Sequence, residues 1–167
     1  MIRLLHEHDL AAYAALRRES LLESPLAFGA SPETDVAAAQ IGGNTTIFGA
    51  FVGDGLAGAA GLMRGRHAKS AHLVSLWGMY VSPPHRGTGL GRALLDACIA
   101  HARTVKGVEA IQLAVTDTAA SARRLYERAG FVTWGVQPDA LRHGGRSVSE
   151  HHMLLRLNPE SSENTSV

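Results

Sequence analysis

Cysteine occurs once in this chain of 167 residues, at Cys98, so no internal disulfide can brace the fold. Aromatic residues are scarce at 5%, and the charges nearly cancel: 16 Lys and Arg against 15 Asp and Glu leave a formal charge of +1. Such a chain lacks the basic footprint that phosphate-backbone binding needs, which argues against nucleic acid as a partner. Long hydrophobic runs are missing as well. Gly, Arg or His interrupts each one before the roughly 20 residues of a membrane-spanning helix. The N-terminus MIRLLHEHDL acquires charge too early for a signal peptide, so the expected setting is the cytoplasm, with no membrane association.

What is present suffices for one core. Hydrophobic residues make up 46% of the chain, enough for a single domain over residues 1–158, with the polar tail PESSENTSV (159–167) expected to be disordered. Residues 2–5 read as a strand, and Asp9 as the N-cap of a helix through Tyr13, Leu16 and Leu21. A loop rich in Pro and Gly follows, then a short helix expected over 33–41. The runs TTIFGAFV, LAGAAGLM and AHLVSLWGMYV predict an antiparallel meander. A helix beginning at Gly89 and ending at Gly107, the strand IQLAV, a helix stopping at Gly130, and the strands FVTWGV and SEHHMLLRL complete the order. Strands followed by alternating strands and helices indicate an α+β fold, with the run ending at Val81 paired in parallel with IQLAV.

Between those two strands lies SPPHRGTGLGRALL, with Gly87, Gly89 and Gly91 at alternate positions. Glycine lets a ligand lie directly against the main chain, where the first-turn N–H groups of a helix have no i−4 carbonyl. The helix dipole, Arg86 and Arg92 add positive potential, so a pyrophosphate suits the loop. The bland alternative is a plain strand-to-helix turn. A dinucleotide fingerprint would need glycine where Arg92 stands, and a P-loop would need Gly-Lys-Ser/Thr.

The segment resembles the pyrophosphate-binding motif of the GCN5-related N-acetyltransferase (GNAT) family, Arg/Gln-x-x-Gly-x-Gly/Ala, matched by Arg86, Gly89 and Gly91. Residues 121–131, SARRLYERAGF, resemble the family's A-x-x-L-Y-E-x-x-G-F segment, and the likeness extends over roughly residues 45–157. It implies a GNAT-like fold, with a mixed, mostly antiparallel sheet of about six to seven strands flanked by about four helices. It also implies acetyl transfer from acetyl-CoA to a primary amine by direct attack in a ternary complex. The main chain of Met79 and Val81 would then pair with the pantetheine arm, and Arg86, Gly87, Thr88, Gly89, Leu90, Gly91 and Arg92 would wrap the pyrophosphate. Tyr126 corresponds to the tyrosine that protonates the departing thiolate.

Two positions depart from the family pattern. Ala119 stands where an asparagine is common, with Thr116, Asp117 and Thr118 as substitutes; Ala114 replaces a glutamate usual in the ribosomal-protein-modifying members. A base is still required, because a free amine with pKa about 10.4 is almost wholly protonated at pH 7. Candidates are Glu33, His72, Glu150 and His151, of which Glu33 and Glu150 are preferred. In the family the region 21–35 covers the acceptor cleft, and here it carries Glu23, Glu33 and Asp35, which favours a small-molecule amine acceptor. Phe28, Trp77 and Trp134 are candidates for the pocket wall. His151 and His152 are adjacent on a strand and so face opposite ways, and no metal is expected. A peptide N-terminal acetyltransferase, a non-catalytic acyl-CoA-binding module, a partner-binding protein with an unused fold and a homodimer all stay open.

Overall fold

In a computed structural model, which describes residues 1–35 and 41–157, the chain runs β1 (Ile2–Leu4), α1 (Leu10–Glu23), β2 (Thr45–Val52), β3 (Gly55–Arg64), β4 (Leu73–Val81), α2 (Leu90–Thr104), β5 (Ala110–Thr116), α3 (Ala120–Arg128), β6 (Val132–His143) and β7 (Arg146–Arg156). The strands form one sheet of seven, in the order β1-β2-β3-β4-β5-β7-β6. Alternation decides its faces. In β3, Ala60 and Leu62 join a core beneath α2, whereas their neighbour Ala59 joins a second core beneath α1.

The first core is closed by α2, whose Leu94, Leu95, Cys98 and Ala102 are fully buried at helical spacing against Val74, Ile111 and Met153. Burying each such leucine stabilises the fold by about 1.5–3 kcal/mol. On the opposite face Tyr13 and Leu16 of α1 pack on Ile47, Phe51 and Tyr80.

The β4–β5 seam shapes everything that follows. β4 is antiparallel to β3 along its length, yet it pairs with β5, in parallel, only where Leu73, Val74 and Ser75 face Ala110, Ile111 and Gln112. β5 instead pairs with β7 from Ala110 opposite Arg156 to Thr116 opposite Glu150. The bulge in β4 accompanies the parting. Trp77 faces Gly61 and Tyr80 faces Ala59, so Gly78 and Met79 together oppose Ala60. Gly78 sits at φ +61°, a conformation that L side chains rarely adopt.

Several expectations need restating. Three α-helices, not four, occur among the described residues. The helix expected over 33–41 falls mostly on residues 36–40, outside the described residues, and residues 31–35 form a turn closed by Ser31 accepting from the N–H groups of Thr34 and Asp35. α2 stops at Thr104 with Val105 already extended, before Gly107. Nor does the Asp9 carboxylate cap α1: it accepts from the Arg3 guanidinium at 2.7 and 2.8 Å and from the His6 N–H at 2.9 Å. The tail 159–167 also lies outside the described residues. No described helix is long and apolar enough to cross a membrane.

Candidate active site

β4 passes through a single 3-10 turn, Pro83–His85, into α2. The N–H groups of His85 and Arg86 donate to Ser82 and Pro83, and that of Ala93 donates to Gly89. Between them, the N–H groups of residues 87–92 have no main-chain acceptor among the described residues. Gly87 and Gly89 lie at φ +75° and +87°, and no atom stands within 4 Å of where a Cβ would sit on either. The result is an open concavity of unpaired donors at a helix N-terminus, complementary to phosphate oxygens.

The arginines beside it are each ion-paired on the exposed surface. Arg86 donates from Nη2 and Nη1 to Glu23 at 2.8 and 3.1 Å and from Nε to the Val81 carbonyl at 2.9 Å, with its guanidinium over the Tyr80 ring. This hydrogen bond holds the Glu23 carboxyl below the usual carboxylate range. Arg92 pairs with Asp96 at 2.8 Å, and the Thr88 hydroxyl donates to the His85 carbonyl at 2.6 Å. The main chain and the helix dipole add their own attraction for an anion. Val81 and Leu90 pack on the α2-side core, and Met79 reaches the cleft wall.

Where β4 and β5 separate, a cleft of about 460 Å³ opens. Residues 75–79 of β4 form one wall and residues 112–116 of β5 the other. Gln112 Nε2 donates to Ser75 Oγ at 3.0 Å, joining the strands at the last pair of the seam. Tyr126 enters from α3, 6% exposed, with its ring edge-on to Phe131 at 5.8 Å. Burial, aided by nearby Cys98, pushes its phenol well above the ordinary tyrosine value, so it stays protonated at neutral pH. The same surroundings push the Cys98 thiol up to about 12 by burial alone. Ala119, the asparagine replacement, is also on the wall; the buried Thr116 hydroxyl beside it lies 3.2 Å from that of Thr118.

The base candidates separate. Glu150, half-buried on β7, lines the cleft, and His152 two residues on lines it too, its ring 5.5 Å from that of Trp134. His151 faces the other way, 3.0 Å from Arg123 Nη1, and His72 borders a smaller cavity with Glu109 and Arg156. Glu33 is exposed on the 31–35 turn and is not part of the cleft wall. That turn is fixed by Asp35, which Arg17 draws in through Nε at 3.1 Å. Glu23 and Asp35 are thus both ion-paired, leaving Glu150 as the acidic residue of the cleft lining and Arg17 as its cationic one. Phe28, Trp77 and Trp134 all reach the cleft. Arg17, Ser75, Gln112 and His152 were not legible as site residues. Nothing local distinguishes Arg17 from Arg18, and the other three acquire their neighbours only when the sheet parts. No cluster of metal-ligating side chains occurs among the described residues.

The sheet thus parts at a bulge, and a donor-lined glycine loop stands where β4 meets α2. The chain belongs to the acetyltransferase (GNAT) family, whose sequence model matches residues 12–131. It is 38% identical over 90 residues to a mycothiol acetyltransferase of Thermobispora bispora, covering 48% of this chain and 30% of that protein. It is 30% identical over 121 residues to the N-acetyltransferase aca1 of Schizosaccharomyces pombe, covering 72% of this chain and 53% of that one. The chain thus spans about a third to about half of these relatives. Among solved structures, yncA of Salmonella typhimurium, determined with its cofactor acetyl-CoA, superposes with a TM-score of 0.83 at 22% identity, over 99% of this chain and 98% of that one.

Proposed function

We propose that the protein is an acetyl-CoA-dependent N-acetyltransferase acting on a primary amine of a small molecule. The observation that carries this reading is the course of β4: its edge is unpartnered by β5 beyond Ser75, it walls the cleft that Tyr126 and Glu150 also line, and it leads on to the unpaired N–H groups of residues 87–92. Bound there, acetyl-CoA supplies an acyl group activated as a thioester. The donors of residues 87–92 hold its pyrophosphate, and the open edge at Met79 and Val81 is available to its amide arm.

Glu150, directly or through one water, takes a proton from the acceptor ammonium, leaving a neutral nitrogen able to attack the carbonyl carbon. The C–N bond forms and the C–S bond breaks in the ternary complex. Tyr126 Oη gives its proton to the departing sulfur; the attacking nitrogen sheds its second proton to water as the amide forms, and water returns one to the Tyr126 phenolate. Burial keeps the Tyr126 phenol protonated, so its proton is in place when the sulfur departs. Ala114 leaves the β5 wall without a carboxylate, which supports a small molecule over a ribosomal N-terminus. The test is thiol release from acetyl-CoA across amino acids, polyamines, aminoglycosides and peptide N-termini. Release with small amines is expected, and none with any amine would overturn the reading.

A further inference from the structure

Arg17 is ion-paired with Asp35, yet it keeps one buried donor that no described residue satisfies. Its side chain is 7% exposed, its guanidinium lies over the Phe28 and Trp77 rings with centroids at 5.0 and 5.7 Å, and it lines the cleft. Asp35 engages Nε at 3.1 Å and Nη2 at a long 3.4 Å. Nη1 is buried with no hydrogen-bond partner among the described residues. A buried cationic donor without an acceptor is unfavourable, and in a cleft it marks where a ligand atom belongs. Its position agrees: Nη1 lies 3.5 Å from where a Cβ on Gly78 would be, so the bare backbone at the bulge leaves room beside it. Trp77 Nε1 is also unpartnered, but it lies against Gly61 on β3, away from β5.

We propose that Arg17 Nη1 recognises a carboxylate on the acceptor, so that the substrate is a free amino acid or close amino carboxylate, its ammonium end directed to Glu150. The inference rests on the transferase reading and narrows its substrate class. Opposite polarities in one cleft favour a bipolar ligand: Glu150 on β7 is complementary to an ammonium group, and the unused guanidinium face on α1 to a carboxylate. A neutral oxygen would satisfy Nη1 geometrically, but a carboxylate adds a direct charge–charge attraction to a donor flanked by the Phe28 and Trp77 rings and largely removed from water. A peptide N-terminus has no α-carboxylate next to its amine and fits poorly.

The experiment compares L-amino acids with their α-carboxamides and their decarboxylated amines as acceptors for the unmodified protein, by thiol release. The expected result is a preference for the free carboxylate of at least about tenfold in kcat/KM, carried mainly by KM. Arg17→Lys keeps the charge facing Asp35 but loses the planar fork, and should erase that preference while CoA binding persists. If the variant misfolds, the parent's preference alone decides. Equal use of carboxamides or decarboxylated amines, or a preference retained in Arg17→Lys, would overturn the assignment. Should no amine release thiol, the transferase reading fails separately. The same panel titrated calorimetrically into CoA-loaded protein then decides on Arg17: carboxylate-dependent binding supports it, and its absence overturns it.

Discussion

Two residues separate chemistry from binding. Tyr126 is 6% exposed and lines the cleft, so Tyr126→Phe preserves the ring contacts with Phe131 and removes only the proton donor. We expect kcat to fall about 10²-fold or more with CoA affinity nearly unchanged; single-turnover kinetics with an unchanged chemical step would make Tyr126 structural. Gly89 should behave in the opposite way. Its φ of +87° and open surroundings mean that Gly89→Val strains the turn and thrusts a side chain into the donor concavity, where no protein atom competes. CoA binding should weaken by about 10²-fold or more in calorimetry while circular dichroism still reports a folded chain, because the loop is exposed. For the base, Glu150→Gln should depress kcat/KM most at the acidic end of the profile, where deprotonating the amine is hardest. Glu33→Gln, on an exposed turn outside the cleft, should leave the profile unmoved.

Among elements, legibility depended on how far each signal reached along the chain. The meander was readable because alternation and turn residues are local, and TTIFGAFV forms β2 over the same residues, Thr45–Val52. The donor loop was readable for the same reason: alternate glycines before an apolar helical run encode the concavity directly. The cleft was not. LVSLWGMYV reads as one continuous strand, and only the pairing of Gly78 and Met79 against Ala60 reveals the bulge. Likewise the ion pairs Arg86–Glu23 and Arg17–Asp35 join residues far apart in sequence, so the partners of Glu23 and Asp35 could not be read from their own segment. Two glycines test this division. At Gly91 a methyl would make ordinary contacts, the nearest at 3.6 Å to Leu125, so Gly91→Ala should leave stability equal or raise it by up to about 1 kcal/mol through helix propensity. Gly78→Ala must adopt a left-handed conformation in the bulge and should cost about 1–2 kcal/mol in urea unfolding. Equal stabilities of the two variants would show that the bulge relaxes freely.

For the whole molecule, the scarce phenols and the lone thiol are distributed through both cores and so report on their integrity together. All three tyrosines are raised: Tyr13 up to about 12, by burial first, with Asp35 adding to and Arg17 opposing the shift; Tyr80 by burial and its hydrogen bond to Glu19; Tyr126 by burial and nearby Cys98. The consequence for stability has a definite sign. Unfolded tyrosine ionises near pH 10, whereas folded Tyr13 resists until about 12, so its contribution is complete below pH 10 and is lost as pH rises through that window. For the fully buried Tyr13 alone this amounts to roughly 2–3 kcal/mol, a sizeable part of the stability of a domain this size. Cys98 adds in the same direction, since its thiol is held up to about 12 while an unfolded thiol ionises near 8.5. Phenolate absorbance should therefore remain flat through pH 10 and then rise together with the loss of helical circular dichroism, as one cooperative event. A thiol reagent at pH 8 should find Cys98 inert in the native protein and react with it once urea opens the α2 core. A tyrosine that titrates near pH 10 without unfolding would show that at least one of these phenols is in contact with water, and it would weaken the case for a desolvated proton donor at Tyr126 in particular.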